Sequence, residues 1–491
     1  MGRIIVLIFL SFYNTKKKLF LTQSIGSDIL TKVSLYLLCI SFIILRLVNI
    51  QDFKIYKDSF KLLFISKATA NLSTVANFYP NYEDFANTNI LTPYKWLFGY
   101  VNGFVVKGLT IVGIEANNQT FETVMHMGVI LFGLLTALLT FKVIINATRS
   151  RKAALLSVAF ITISGIHLIW SGLIITDTFA SFVILLYVYF RLYKSLVVVN
   201  LITWFALYIT RPELVVIPIV IEILLKGIKI AKLKSVNTLI FKLNTALFTS
   251  ILIFSTYNSD LISRNINADY SLWVGLLVTL LILLTVPNKF LNLNEGTLKL
   301  LNVILIVSST LLVVYYWFNP EISRYIVTFI PFFAILTGVG FITFVNLLRF
   351  SRVQYLFLAL IGLSLILNVV NYLSFGKLES PEYHTEIATV VLDYAAQNSI
   401  KTIYVGQEEA YIWEDQKNSL NIYNLSRLDL NHLSSNTIIV NDTSIPYVSS
   451  NIDGVNLTDF GFELNKSFNT NAPFRVNNII SNGFVEIWVK N

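Results

Sequence analysis

The sequence has one cysteine in 491 residues, four histidines, and only 13% of its residues charged. Each scarcity excludes a class of protein. A single thiol, Cys39, cannot build a disulfide framework, a cysteine zinc site or an iron–sulfur site. The histidines, at 126, 167, 384 and 432, never stand four apart on one helix face, so a histidine-built metal site is not expected. Soluble domains are about a quarter charged. Half that content argues against an ordinary cytosolic enzyme, a disordered chain or a nucleic-acid binder, although the net charge is +9. What fills the space is apolar: 55% of the residues are hydrophobic and 14% aromatic. The chain reads as a polytopic α-helical membrane protein.

The charges divide unevenly. Residues 1–374 carry 30 Lys and Arg against 14 Asp and Glu, a balance of +16. Residues 375–491 carry 7 against 14, a balance of −7. A basic, apolar membrane region therefore precedes an acidic, polar tail that has no span-length apolar run. In the first part, runs near the roughly 20 residues needed to cross a bilayer fall at 33–50, 122–145, 153–170, 174–193, 196–210, 213–226, 237–257, 271–286, 300–318, 325–348 and 353–373. That makes about eleven transmembrane helices. Residues 1–32 read as a cytoplasmic or interfacial segment, since the run at 4–12 is too short to span and Lys16, Lys17 and Lys18 follow it. With the N-terminus inside, alternate loops carry Arg149, Arg151 and Lys152, then Arg191 and Lys194, then Lys226, Lys229, Lys232 and Lys234, which marks those loops as cytoplasmic. The opposite loops carry most of the acids. An odd span count puts the tail outside with them. The run Trp96 to Ile114, with Asn102, Lys107 and four glycines, is a poor span and is expected to be a juxtamembrane helix. The first outer loop then covers 51–121.

Ionisable groups at a membrane edge are costly and are functional candidates by default. Asp58 precedes the apolar stretch Phe60 to Ala68 and has a plain alternative role as a helix cap. Asp177, in Thr176-Asp177-Thr178, stands at the outer end of an apolar span and needs a partner there. Glu83 and Asp84 lie in mid-loop, free to hold a divalent cation or acceptor, or merely to be solvated. Arg211-Pro212-Glu213 forms an outer hairpin, in which Arg211 pairs with Glu213 or faces a phosphate. Arg324 and Tyr325 open a late span. Guanidinium is well shaped for phosphate oxygens, and the alternative for outer arginines is interfacial snorkelling. Arg46 is expected to snorkel, and His167 to be structural.

The tail reads as a small α/β domain. Ile387, Val390, Val391 and Tyr394 share one helix face. Strands are expected at Thr402 to Gly406, Asn436 to Val440, Gly461 to Phe468 and Phe484 to Val489, the last two antiparallel. No phosphate-cradling glycine loop or nucleophile elbow occurs there.

These features together resemble the GT-C superfamily of polytopic glycosyltransferases, which includes the protein O-mannosyltransferases and the bacterial aminoarabinose transferases. The likeness rests on the long first outer loop with Asp58 near its start in Asp58-Ser59-Phe60-Lys61-Leu62-Leu63. It rests also on Thr92-Pro93-Tyr94-Lys95-Trp96-Leu97 later in that loop, on Thr176-Asp177-Thr178, on Glu321-Ile322-Ser323-Arg324-Tyr325, and on an extracytoplasmic α/β tail. Many relatives have a second acid beside the first, where this chain has Ser59, which keeps Glu83 and Asp84 open as the essential acid. The resemblance implies a polyprenyl-phosphate sugar donor, a glycan, lipid or protein acceptor at the outer membrane surface, and inversion at the anomeric carbon. It implies Asp58 as base, Asp177 as an orienting acid, and Arg324, Arg211 and Tyr325 about the donor phosphate. A cofactor is not required by it; a divalent cation (Mg or Mn) is left open.

Three other classes share part of this pattern. A polysaccharide ligase or polymerase using a diphosphate-linked donor would usually carry its large outer loop late in the chain, whereas here it is early. A transporter would want mid-membrane ionisable groups and internal repeats; the candidates here sit at the outer edge, with Glu222, toward the inner end of its span, the main exception, and the span pattern does not repeat. A non-catalytic assembly protein would show the same spans without a working site.

Overall fold

The computed structural model describes residues 25–47, 57–70, 96–171, 176–194, 197–230, 234–258, 270–286, 291, 293–318, 323–348, 351–375, 382–405, 421–425, 428–430, 433, 436–442, 455–470 and 483–490. Most of these residues are helical. Helices α1 (Ile25–Leu47), α2 (Lys57–Ala70), α3 (Trp96–Ile111) and α4 (Asn118–Thr148) come first. They are followed by α5 (Arg151–Ile163), α6 (Gly165–Trp170), α7 (Asp177–Tyr193), α8 (Val197–Thr210), α9 (Val216–Ile230) and α10 (Lys234–Asn258). Then come α11 (Tyr270–Thr285), α12 (Glu295–Phe318), α13 (Ile330–Leu347), α14 (Ser351–Phe375) and α15 (Glu382–Gln397). Short 3-10 segments at Pro212–Val215 and Ser323–Thr328 lead into α9 and α13.

Among the described residues, five helical stretches are long and apolar enough to cross a membrane: Ile29–Leu47, Gln119–Thr148, Thr238–Ser255, Glu295–Tyr315 and Ile330–Leu347. Shorter apolar helices, such as Val197–Thr210 and Leu272–Thr285, stand beside them. Helix α13 is the hub. It is apolar all round and buried from Ile330 through Phe341, as a helix enclosed by others must be. It packs against α4, α5, α11 and α12. The peripheral helices instead leave whole apolar faces uncovered: Leu201, Ile202 and Phe205 on α8, Leu239, Leu243 and Leu247 on α10, Leu356, Leu360 and Leu363 on α14. Faces this large and apolar suit acyl chains rather than water. Inside, Asn244 Nδ2 donates to Asn302 Oδ1 at 2.8 Å, joining α10 to α12, a polar link of the kind that fixes helix partners in lipid.

Three helices differ from the sequence expectation. The run expected as one span at 153–170 is broken: Ser164 is extended (φ −56°, ψ 122°), so α5 ends and α6 begins after it. The run expected at 325–348 opens as a 3-10 segment before α13 begins. Helix α2 starts at Lys57, so Asp58 lies inside its first turn rather than at the capping position before it.

Helix α3 has 16 residues, roughly 24 Å at 1.5 Å per residue, short of the roughly 30 Å hydrocarbon core. Its glycines let it sit close on α2. A Cβ at Gly103 would lie 2.5 Å from both Ser66 O and Thr69 Cβ, so no larger residue fits without the helices parting. Phe104 and Ile111 on its far side are exposed.

In the tail, α15 covers one face of a five-stranded sheet of order β2-β1-β3-β5-β4, where β1 is Thr402–Val405, β2 Asn421–Asn424, β3 Thr437–Asp442, β4 Glu463–Thr470 and β5 Gly483–Lys490. Strand β1 pairs in parallel with β2 and β3, while β5 is antiparallel to β3 and β4. Val391 and Ala395 of α15 pack with Ile403, Val405, Ile438, Val440, Ile487 and Val489. A second cluster, Leu425, Leu428, Ile439, Leu457 and Phe462, fills the other face. Burial, with Tyr423 and Asp429 nearby, raises the Tyr404 phenol above its ordinary value.

Candidate functional site

The N-terminus of α7 is the most heavily charged buried point among the described residues. Thr176 precedes the helix without a side-chain capping bond, and Asp177 opens the first turn. Asp177 is therefore not a cap. Its Oδ1 accepts from Arg211 Nη2 at 2.7 Å, and the side chains are 2% and 0% exposed. Arg211 also donates from Nη1 to Glu213 Oε1 at 2.9 Å. The pairing of Arg211 with Glu213, one of the two alternatives the sequence offered, is present, and the structure adds a second carboxylate 34 positions away, Asp177.

Local sequence explains the placement. Helix α8 runs antiparallel to α7 and stops at Thr210, because Pro212 cannot donate within a helix. Arg211 there takes an extended conformation (φ −157°, ψ 96°) and turns its side chain back across the bundle. Proline is at home as first residue of the 3-10 turn that follows. The guanidinium carbon lies 5.6 Å from the ring centroid of Tyr315, near the C-terminus of α12. Burying a lone charge in an apolar bundle costs several kcal/mol; here each charge has an opposite partner.

This cluster touches the elements carrying the other candidates. The Tyr315 ring sits 5.6 Å from Phe329, which links the 3-10 segment Ser323–Thr328 to α13. Ser181, one turn after Asp177, donates to Asp177 O at 2.9 Å and lies 3.3 Å from Val327 O of that same segment. Arg324 and Tyr325 belong to the segment. On the other side, Phe179 meets Phe98 of α3 at 5.7 Å and Phe132 of α4 at 4.6 Å. Helix α3 packs on both α2, whose first turn contains Asp58 in the sequence, and α4. The structure thus brings together Asp177, Arg211 and Glu213 as a bonded cluster, and packs the Arg324 segment and α3 around its first turn. Glu83 and Asp84 lie outside the described residues. Among the described residues, no group of three His, Cys, Asp or Glu is placed to hold a metal ion.

Sequence reasoning missed a second buried polar cluster at this end of the bundle. Arg46 is 0% exposed, and so does not snorkel. Its Nε donates to Ser171 Oγ at 2.6 Å, and its Nη2 lies 2.6 Å from His167 Nδ1. His167, expected to be structural, is the partner of that arginine. The signal in the sequence was the arginine itself, a charge in an otherwise apolar helix, four residues after Phe42, whose ring lies 3.4 Å from the guanidinium.

At the opposite end of α7, Arg191 pairs with Glu222 of α9 through both its Nε and its Nη2, the latter at 2.8 Å. Tyr187 donates to the same carboxylate at 3.1 Å. Glu222, the main exception to the outer-edge pattern of ionisable groups, is thus engaged in an ion pair. No family model matches the chain, and no curated protein matches it.

Proposed function

We propose that this protein is a membrane glycosyltransferase that moves a sugar from a polyprenyl-phosphate donor to a glycan, lipid or protein acceptor. In this reading the chain crosses the membrane about eleven times, with its basic loops inside and residues 375–491 outside. The observation that carries it is the buried Asp177–Arg211–Glu213 cluster, with α3 and the Arg324 segment packed about the first turn of α7. Buried charge at one end of an apolar bundle, with the segment that carries Arg324 packed on the same helix turn, supports a reading in which a phosphate and a proton acceptor meet there.

The chemistry is a single displacement. The acceptor hydroxyl or amine gives its proton to Asp58 as its oxygen or nitrogen attacks the anomeric carbon. The bond from that carbon to the phosphate oxygen breaks, and its electron pair leaves with the polyprenyl phosphate. Attack from the opposite face inverts the anomeric centre. Arg324 stabilises charge developing on the departing phosphate, with Tyr325 beside it. Arg211 and Asp177 already satisfy one another, so they serve to position: they hold the turn against which the Arg324 segment rests. No step requires a metal; a divalent cation at Glu83 and Asp84 remains part of the proposal only as a donor-phosphate ligand.

The test is transfer by the purified chain from radiolabelled polyprenyl-phosphate sugars to a membrane extract, alongside Asp58→Asn. Turnover by the wild type that falls at least ~100-fold in the variant, the scale of a lost general base, is the expected result. Turnover surviving in Asp58→Asn moves the base to Glu83 or Asp84. Absence of both binding and turnover with every such donor sinks the reading.

A further inference from the structure

The break between α5 and α6 is closed by a staple from a third helix. A helix that stops leaves its last carbonyls without amide partners. Phe160 O still accepts from Ser164 N–H at 2.8 Å. Ile161 O and Thr162 O instead face the Arg46 guanidinium, at 3.5 and 3.4 Å. The same guanidinium reaches His167 Nδ1 on α6 and Ser171 Oγ one residue past it, both at 2.6 Å. It donates also to Phe42 O of its own helix at 3.0 Å. The positive charge thus rests against the negative end of α5. Because Nδ1 accepts, His167 carries its ring hydrogen on Nε2. One side chain on α1 therefore ties the end of α5 to His167 within α6 and to Ser171 just past it. Helix α6 in turn packs on the 3-10 segment Ser323–Thr328 and on α14.

We propose that Arg46 is a positioning residue: by stapling α5 to α6 it sets where the segment bearing Arg324 and Tyr325 stands. Its consequence for donor binding rests on the glycosyltransferase reading; its effect on the segment does not. Snorkelling, the ordinary alternative for an arginine at this depth, is inconsistent with complete burial and five protein contacts.

The test is amide hydrogen exchange on the full chain in lipid nanodiscs, comparing wild type, Arg46→Met and Arg46→Lys. Methionine keeps the apolar stem and loses every donor. Arg46→Met is expected to speed exchange in peptides covering 165–171 and 323–329 by at least ~10-fold, with α9 and α10 at wild-type rates. Arg46→Lys, which keeps the charge, falls between. Acceleration confined to 161–171 makes Arg46 a local cap, and acceleration spread over the whole bundle makes it a residue of general stability; either overturns the proposal. If Arg46→Met does not fold, the double variant His167→Leu/Ser171→Ala removes the α6 half of the staple, and the same peptides decide. In the transfer assay the donor KM rises in Arg46→Met while the acceptor KM holds; an unchanged donor KM beside a displaced segment overturns the link to donor binding. A wild type that turns over no polyprenyl-phosphate sugar removes the glycosyltransferase reading alone, because the exchange pattern still decides the staple.

Discussion

Helix α7 has an ion pair at each end, and the two differ in one decisive respect. At its N-terminus Asp177 and Arg211 are 2% and 0% exposed. At its C-terminus Arg191 and Glu222 are 28% and 37% exposed. Arg191 grips Glu222 through two nitrogens and Arg211 grips Asp177 through one, yet the surroundings separate them more. A half-exposed pair is screened and contributes little. A buried pair is expensive to assemble and more expensive to break, since removing one partner strands the other in an apolar interior. The Arg46 cluster sits at the same end as the buried pair. The end opposite has Lys242 donating to Leu283 O, to Leu284 O at 3.2 Å and to Val286 O at 2.8 Å, a cation on the carbonyls that end α11. That is an ordinary C-terminal cap. One end anchors the bundle; the other holds buried charge, which is where the proposed site lies.

That contrast can be broken by experiment. Arg211→Met leaves Asp177 and Glu213 facing each other without a cation and should cost ~3–5 kcal/mol of stability, read as a loss of thermal or denaturant resistance in nanodiscs. Adding Asp177→Leu and Glu213→Leu to it should restore much of that loss. Arg46→Met strips the carbonyls of Ile161 and Thr162 of their donors and should cost about 1–3 kcal/mol. Asn302→Leu, which unlinks α10 from α12, should cost about 0.6–2 kcal/mol. Arg191→Gln should cost less than about 1 kcal/mol and vary with salt. If Arg191→Gln proved as damaging as Arg211→Met, burial would not be what separates the two ends.

Much of the membrane region was legible because apolar runs survive any tertiary context: α1, α4, α10, α12 and α13 all fall where long apolar runs stand. Helix breaks were not legible. Ser164 interrupts a run that is apolar on both sides, and the break persists because Arg46, more than a hundred positions away, takes the freed carbonyls. Strand β2 was missed because Asn421-Ile422-Tyr423-Asn424 is four residues bounded by asparagine, with no alternation to read; its pairing with β1 makes it a strand. The antiparallel strands β4 and β5 were expected and are there. Asp177 and Arg211 could each be singled out as costly residues at the outer membrane edge, and consecutive spans put both on one side, but that Arg211 turns inward onto Asp177 is stated by no local pattern. Arg46 was misread for the same reason: whether an arginine snorkels or turns inward depends on what its neighbours need.

The most direct measurement compares two arginines, one from each end, in one transfer assay with a radiolabelled polyprenyl-phosphate sugar. Arg324→Gln should lose about 100-fold in kcat, as expected for removing a group that stabilises transition-state charge, while Arg191→Gln should keep wild-type turnover. Equal activity in the two variants, or a wild type that transfers no sugar, would contradict the account.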